Sequence, residues 1–143
     1  MTDFYPDVLP KLLIEIRDDT AVDSIVDGAV RGAEPAPGDV QGAGNYRPFV
    51  VLVQLAAPRL PRVPVQTARI VARCYGTSHQ QAAQLRWAVS NAIHNRGPRV
   101  HANGLGIFNS IETEGGEQDT DPDTKQPLSL LFIEVPATTQ AVA

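Results

Sequence analysis

Two β-branched runs joined by evenly spaced prolines constrain this chain more than any other feature. Pro48-Phe49-Val50-Val51-Leu52-Val53-Gln54-Leu55 is nearly continuous in apolar residues, the pattern of a strand covered on both faces. Val65–Tyr75 alternates instead, with Val65, Thr67, Arg69, Val71 and Arg73 against Gln66, Ala68, Ile70, Ala72 and Cys74, so one of its faces is wetter. Between them, Ala57-Pro58-Arg59-Leu60-Pro61-Arg62-Val63-Pro64 places proline at every third position. Proline has no N–H to give a sheet ladder, so the link is extended or turning and the three segments read as one long hairpin. At about 3.3 Å per residue the strands span ~25 to 35 Å. A chain of this length has a radius of gyration of roughly 14 to 15 Å, and the hairpin is therefore expected to project. A PxxPxxP string also serves as an SH3-type ligand, but that use needs a disordered tract, and here strands flank it.

The elements around the hairpin follow from periodicity and caps. Residues 7–17 read as a helix, with Asp7 as N-cap, Pro10 in the first turn where its missing N–H costs nothing, and Leu9, Leu12, Leu13 and Ile16 on one core face. Residues 21–26 form a short second helix ending near Gly28, and 31–44, rich in Gly, Pro and Ala, is a loop after a short strand. Ser78 and Gln81 make a capping box that opens a third helix, in which Ala82, Leu85, Val89, Ala92 and Ile93 recur at helical spacing. Arg96, Gly97 and Pro98 close it. Trp87 lies off the centre of that stripe; the core edge is favoured over an exposed anchor for a partner. Residues 100–111, with Gly104 and Gly106, make a strand pair or a bulged strand, 112–126 a polar acidic loop, and 128–135 a last buried strand. The order gives an α+β fold, a mostly antiparallel sheet with helices packed on one face.

A length of 143 residues suits one core. The apolar stretches near 50–55 and 128–135 fall well short of the ~20 residues that cross a bilayer, and residues 1–10 lack the basic start and apolar run of a signal peptide. We expect a soluble protein made in a cytoplasm. The net charge of -4 hides three blocks. Residues 1–39 hold nine acids and three bases, 40–111 hold eight arginines and no acid, and 112–143 hold seven acids and one lysine. Opposite blocks either neutralise each other within one fold or meet across an interface between copies. Sequence-directed DNA binding is disfavoured, because the arginines are dispersed along strands and the chain as a whole repels phosphate.

The chemical motifs fail one by one. Asp119-Thr120-Asp121-Pro122-Asp123 has the alternating carboxylates that open a calcium loop, but Thr124 stands where the turn needs Gly and Leu130 where it needs Glu. His79, His94 and His101 match no zinc spacing, and Cys74, the lone cysteine, excludes an internal disulfide and a thiolate cluster. Cys74 also sits mid-strand, away from the helix N-terminus that would activate it toward a partner such as His94. HExxH, GxSxG and GxxxxGK[ST] are absent, and Gly104-Leu105-Gly106 alone is too common to mean nucleotide binding. The expectation is a protein that is not an enzyme and uses no cofactor or metal.

Several phrases carry a resemblance. They are the opening Tyr5-Pro6-Asp7-Val8-Leu9-Pro10, the strand end Ala72-Arg73-Cys74-Tyr75-Gly76 followed at once by a helix over 78–95, the phrase His94-Asn95-Arg96-Gly97-Pro98-Arg99, and the closing Ile133-Glu134-Val135-Pro136-Ala137-Thr138-Thr139. In order and length the chain resembles the tail terminator, or tail completion, proteins of long-tailed phages. That resemblance implies one tail-terminator-like domain over 1–143, assembling as a hexameric ring on the finished tail tube, stopping its polymerisation and offering its other face to head-closure or connector proteins. The location implied is the virion at the head–tail junction, on the tail side, after assembly in the host cytoplasm, with DNA passing through the lumen without sequence-specific binding and with no membrane partner. A ring needs two different patches meeting head to tail, and segregated charge suits that. Arg59, Arg62, Arg69 and Arg73 are expected to face Glu114, Glu117, Asp119 and Asp121 of a neighbour or of the tube, with Trp87 as a further contact residue. Two other readings remain open: a head–tail connector or head-closure protein, and a small host-directed binding module using the proline link or Trp87.

Overall fold

The computed structural model describes residues 8–42, 44–56, 65–94, 99–100, 106–107 and 111–138. Three helices occupy them: α1 (Val8–Arg17), α2 (Thr20–Val26) and α3 (His79–His94). Seven strands form one sheet: β1 (Val30–Gly32), β2 (Phe49–Ala56), β3 (Val65–Tyr75), β4 (Arg99–Val100), β5 (Gly106–Ile107), β6 (Ile111–Thr120) and β7 (Pro127–Thr138). β1 and β2 run parallel; the other pairings are antiparallel, so the fold is α+β as the sequence order implies.

β7 is the axis of the sheet. It pairs with β3 along one side from Val65↔Thr138 to Tyr75↔Leu128, and with β6 along the other from Ile111↔Glu134 to Thr120↔Pro127. β5 joins the same side beyond the end of β6, through Ile107↔Ala137. A strand gripped on both sides should be apolar, and Leu128, Leu131, Ile133 and Val135 are buried.

The alternation in β3 decides which face the helices take. Ala68, Ile70, Ala72 and Cys74 are at most 1% exposed and join Val50, Leu52, Leu131, Ile133 and Val135 in the main core. α1 covers β1 and β2 with Val8, Leu12 and Ile16, while α3 covers β3, β7 and β6 with Leu85, Val89, Ala92 and Ile93. Each fully buried Leu or Ile contributes about 1.5–3 kcal/mol. On the opposite face Phe49, Val51, Tyr75 and Leu128 form a second, smaller cluster, in which the Phe49 and Tyr75 rings stack at 4.3 Å. β2 therefore does face apolar surroundings on both sides.

The caps are specific. Asp19 Oδ1 accepts from the amides of Ala21 at 3.0 Å and Val22 at 3.1 Å, opening α2, which ends as Asp27 and Gly28 turn left-handed. Ser78 Oγ accepts from the Gln81 amide at 3.1 Å, as expected, but the Gln81 side chain caps the amide and hydroxyl of Thr77 instead of the Ser78 amide. Asp7, the proline link with Arg59 and Arg62, the closing Arg96-Gly97-Pro98, His101 and Gly104 lie outside the described residues.

Residues 112–126 correct the sequence reading. Most of that stretch is β6, not a loop. Its register shifts between Glu112 and Glu114 and again between Gly115 and Glu117, and charge with bulges is what an edge strand tolerates and an interior strand does not. Pairing with the apolar β7 overrides the low strand propensity of Glu and Gly. Only 121–126 remains as a turn. There Gln126, fully buried, donates through Nε2 to the Arg47 carbonyl at 2.7 Å and the Gly76 carbonyl at 3.2 Å, tying three chain segments together.

Candidate interaction surface

The charge blocks meet partly within the chain. Arg69 Nε lies 3.5 Å from Glu134 Oε1, its register partner across β3 and β7, and Arg73 Nη2 lies 3.7 Å from Asp121 Oδ2. Arg73 also sits 5.4 Å from the centre of the Tyr75 ring. Of the residues the sequence singles out for contacts with a neighbour, Arg69, Arg73 and Asp121 thus have partners in their own chain. The Arg69–Glu134 pair is exposed and worth at most about 1 kcal/mol, so it orients side chains more than it stabilises the fold. Register sets Glu114 opposite Phe132, Glu117 opposite Leu130 and Asp119 opposite Leu128, a row of acidic positions along β6.

Asp121 is the best-connected carboxylate among the described residues. Its Oδ1 accepts from the amides of Asp123 at 2.8 Å and Thr124 at 3.1 Å, and its Oδ2 from the Tyr75 hydroxyl at 3.1 Å. Burial by itself would raise the pKa of Asp121. The two amides, the Tyr75 hydroxyl and the Arg73 charge outweigh it and hold the group below the ordinary aspartate range. Burial pushes the Tyr75 phenol up to about 12, which keeps it a donor. With Asp121 so engaged and Asp119 accepting from the Thr120 amide at 2.7 Å, these oxygens do not converge as a calcium loop would require. Among the described residues no three His, Cys, Asp or Glu side chains cluster to hold a metal ion. Cys74 is fully buried and burial pushes its thiol up to about 12, partly offset by the Arg86 charge, so it packs in the core as a neutral thiol. The Nδ1 of His94 lies 2.8 Å from the Ser90 carbonyl oxygen.

The outward line of α3 is unlike the rest of the surface. Gln80, Gln84, Trp87, Asn91 and His94 recur at intervals of four, three, four and three, and all five are exposed. None is an acid, a lysine or an arginine. Trp87, placed at the core edge by the sequence reading, is 60% exposed. The reason is angular: at 3.6 residues per turn, two steps from the buried Leu85 carry it about 200° round the helix, away from the sheet. The Arg86 guanidinium lies 5.4 Å from the centre of its ring. An aromatic at the centre of an uncharged stripe has the composition of an interface core.

A second feature has no sequence signature. A surface cavity of about 390 Å³ opens where α2 runs into β1 and the chain enters β2. Ile25, Val26, Ala29, Gly38 and Pro48 line it together with Arg31, Arg47, Asp27 and Asp39. Arg31 Nε lies 3.0 Å from Asp39 Oδ2, and Asp39 in turn accepts from the Ala36 amide at 2.7 Å, which fixes the loop wall. Arg47 is exposed, its carbonyl held by Gln126. These residues lie on four separate segments, so spacing along the chain does not bring them together.

No family model and no curated protein matches this chain. Among solved structures, a chain from the virion of a native gene transfer agent particle superposes with a TM-score of 0.67 at 15% identity, covering 89% of this chain and 91% of that one. At that identity the likeness is one of fold, and it extends over nearly the whole of both chains.

Proposed function

We propose that this chain is a structural virion protein: a single-domain subunit that assembles into a ring, caps a phage-type tail tube, stops its polymerisation and presents its other face to head-closure proteins. The observation that supports it most is the near-complete superposition, TM-score 0.67, on a chain of a gene transfer agent virion. That fold likeness is independent of the phrases by which the sequence resembles tail terminators. The role asks nothing catalytic of the chain; the lone thiol and the best-connected carboxylate serve the fold.

The ring contact is heterologous, one patch meeting a different patch on the next copy. On this reading the cationic Arg59 and Arg62 of the hairpin link meet the acidic row of Glu114, Glu117 and Asp119 on β6 of a neighbour or on the tube. Arg69, Arg73 and Asp121, already paired within the chain, set the shape of the flanking surface. Electrostatic matching of this kind governs register and rate of association more than affinity.

Electron microscopy of the chain mixed with purified tail tubes tests the role. Rings on tube ends support termination, attachment to portal or connector particles would transfer the chain to head closure, and a monomer that binds neither would leave a host-directed module. Changing Arg59 and Arg62 together to Glu should preserve circular dichroism and melting temperature while reducing ring formation at least tenfold; unaltered assembly would remove the hairpin from the contact.

A further inference from the structure

Between β1 and β2 the chain runs over the surface on residues 33–42 and 44–48, and this segment walls the cavity beside α2 with Gly38, Asp39, Arg47 and Pro48. Asp39 alone of these residues is buried, so apolar packing does little to hold the segment down. We infer that it is a strap, fastened at two polar pins, which lifts off the body as one unit and thereby opens the cavity. The strap belongs to the single chain and does not depend on the proposed ring.

The near pin is Arg31 of β1, whose guanidinium forks onto Asp39, Nε to Oδ2 at 3.0 Å and Nη2 to Oδ1 at 3.4 Å. The far pin is the β6–β7 turn: the Tyr46 hydroxyl donates to the Thr124 carbonyl at 2.8 Å, and Gln126 Nε2 to the Arg47 carbonyl at 2.7 Å. Between the pins the strap bonds to itself. The Ala36 amide donates to Asp39 Oδ2 at 2.7 Å, the Asp39 amide to the Ala36 carbonyl at 3.0 Å, Gln41 Nε2 to the Gly38 carbonyl at 2.6 Å and the Asn45 amide to the Gly42 carbonyl at 3.0 Å. A surface loop that satisfies its own polar groups and is tied down at two places opens as a unit, not residue by residue. Gly38 and Gly44 turn left-handed at φ +89° and +88°, and a Cβ on either would meet nothing within 4 Å, so nothing packs down on the strap there.

The body does not need the strap to stay folded. β1 and β2 pair directly from Val30↔Val50 to Gly32↔Leu52, and Val30, Val50 and Leu52 are fully buried in the main core. The pins are hydrogen bonds that water replaces when the strap lifts, so each contributes little net stability. Opening therefore costs far less than unfolding, and it withdraws one wall of the cavity from Ile25, Val26 and Ala29.

Hydrogen exchange of single amides, followed by NMR on the whole chain, tests the strap through effects that cross from one pin to the other. Tyr46→Phe loosens the far pin and should speed exchange of the Ala36 and Asp39 amides several-fold. Asp39→Asn loosens the near pin and should speed the Asn45 amide likewise, while amides of Ile70 and Ala72 in β3 keep their parent rates in both variants. In parallel, Ala29→Cys places a thiol on the cavity wall, and a bulky maleimide should label it several-fold faster when Tyr46→Phe is added; the native Cys74, buried, stays silent. Acceleration confined to the substituted pin would overturn the single unit, and equal acceleration in β3 would make the pins part of the global fold. Labelling at Ala29→Cys that ignores Tyr46→Phe would remove the strap's control of the cavity, and strap amides that exchange in the parent as fast as an unstructured chain would mean that no strap is fastened at all.

Discussion

Gly76 joins β3 to α3 where no side chain fits. A Cβ there would stand 2.5 Å from the Ala82 nitrogen and 2.8 Å from the Ser78 carbonyl oxygen, both backbone atoms of the helix start. Its amide donates to the Pro127 carbonyl at 3.0 Å and its carbonyl accepts from Gln126. Neither α3 nor β7 can retreat without breaking the core, so Gly76→Ala is expected to cost about 2 kcal/mol or more, read as a lowered urea midpoint. A cost below about 0.5 kcal/mol, the usual range of a surface substitution, would mean that the strand–helix joint has slack. The phrase Tyr75-Gly76 was visible in the sequence, but the reason glycine is needed there is a contact across a turn, which spacing alone does not display.

At the scale of elements, the β6–β7 turn is organised by Asp121. Two backbone amides, the Tyr75 hydroxyl and the Arg73 guanidinium converge on its carboxylate. A carboxylate held below its ordinary range contributes stability that is fully present above the unfolded value near 3.8 and is lost as pH falls through the lower folded value. Asp121→Asn should therefore destabilise the protein at pH 7, and the gap between variant and parent should close as pH drops below about 3.8; a gap that persists unchanged to pH 2 would exclude the charge as its source. The hairpin strands, α1, α3 and β7 were legible because each carries its own period or cap. Ala68, Ile70, Ala72 and Cys74 all turn inward as their alternation requires. β6 was not legible, since Glu-Thr-Glu-Gly-Gly-Glu has no strand period and takes its structure from a partner strand later in the chain. Trp87 failed for a different reason: the buried stripe of α3 was read correctly, but two residues from its centre is the opposite side of a helix, not its edge.

For the whole molecule, the sheet divides two kinds of surface. One face is sealed by three helices over a core of aliphatic side chains, and the other carries a small aromatic cluster with the cross-strand pair Arg69–Glu134 and the strand-to-turn pair Arg73–Asp121. The segregation of charge so evident in the sequence is partly satisfied inside the chain, through Arg69 with Glu134 and Arg73 with Asp121. Of the residues proposed for contacts between copies, this leaves Arg59, Arg62, Glu114, Glu117 and Asp119 without a partner assigned within the chain. The proposed contact joins unlike patches, and unlike patches build closed rings or open filaments. The measurement that tests this most directly is the absolute mass of the purified chain by light scattering during size separation, over a wide range of concentration. The account requires one discrete, closed multiple of the chain mass, six copies on the tail-terminator resemblance. A constant mass of one chain at every concentration, with no assembly on added tail tubes, would contradict it.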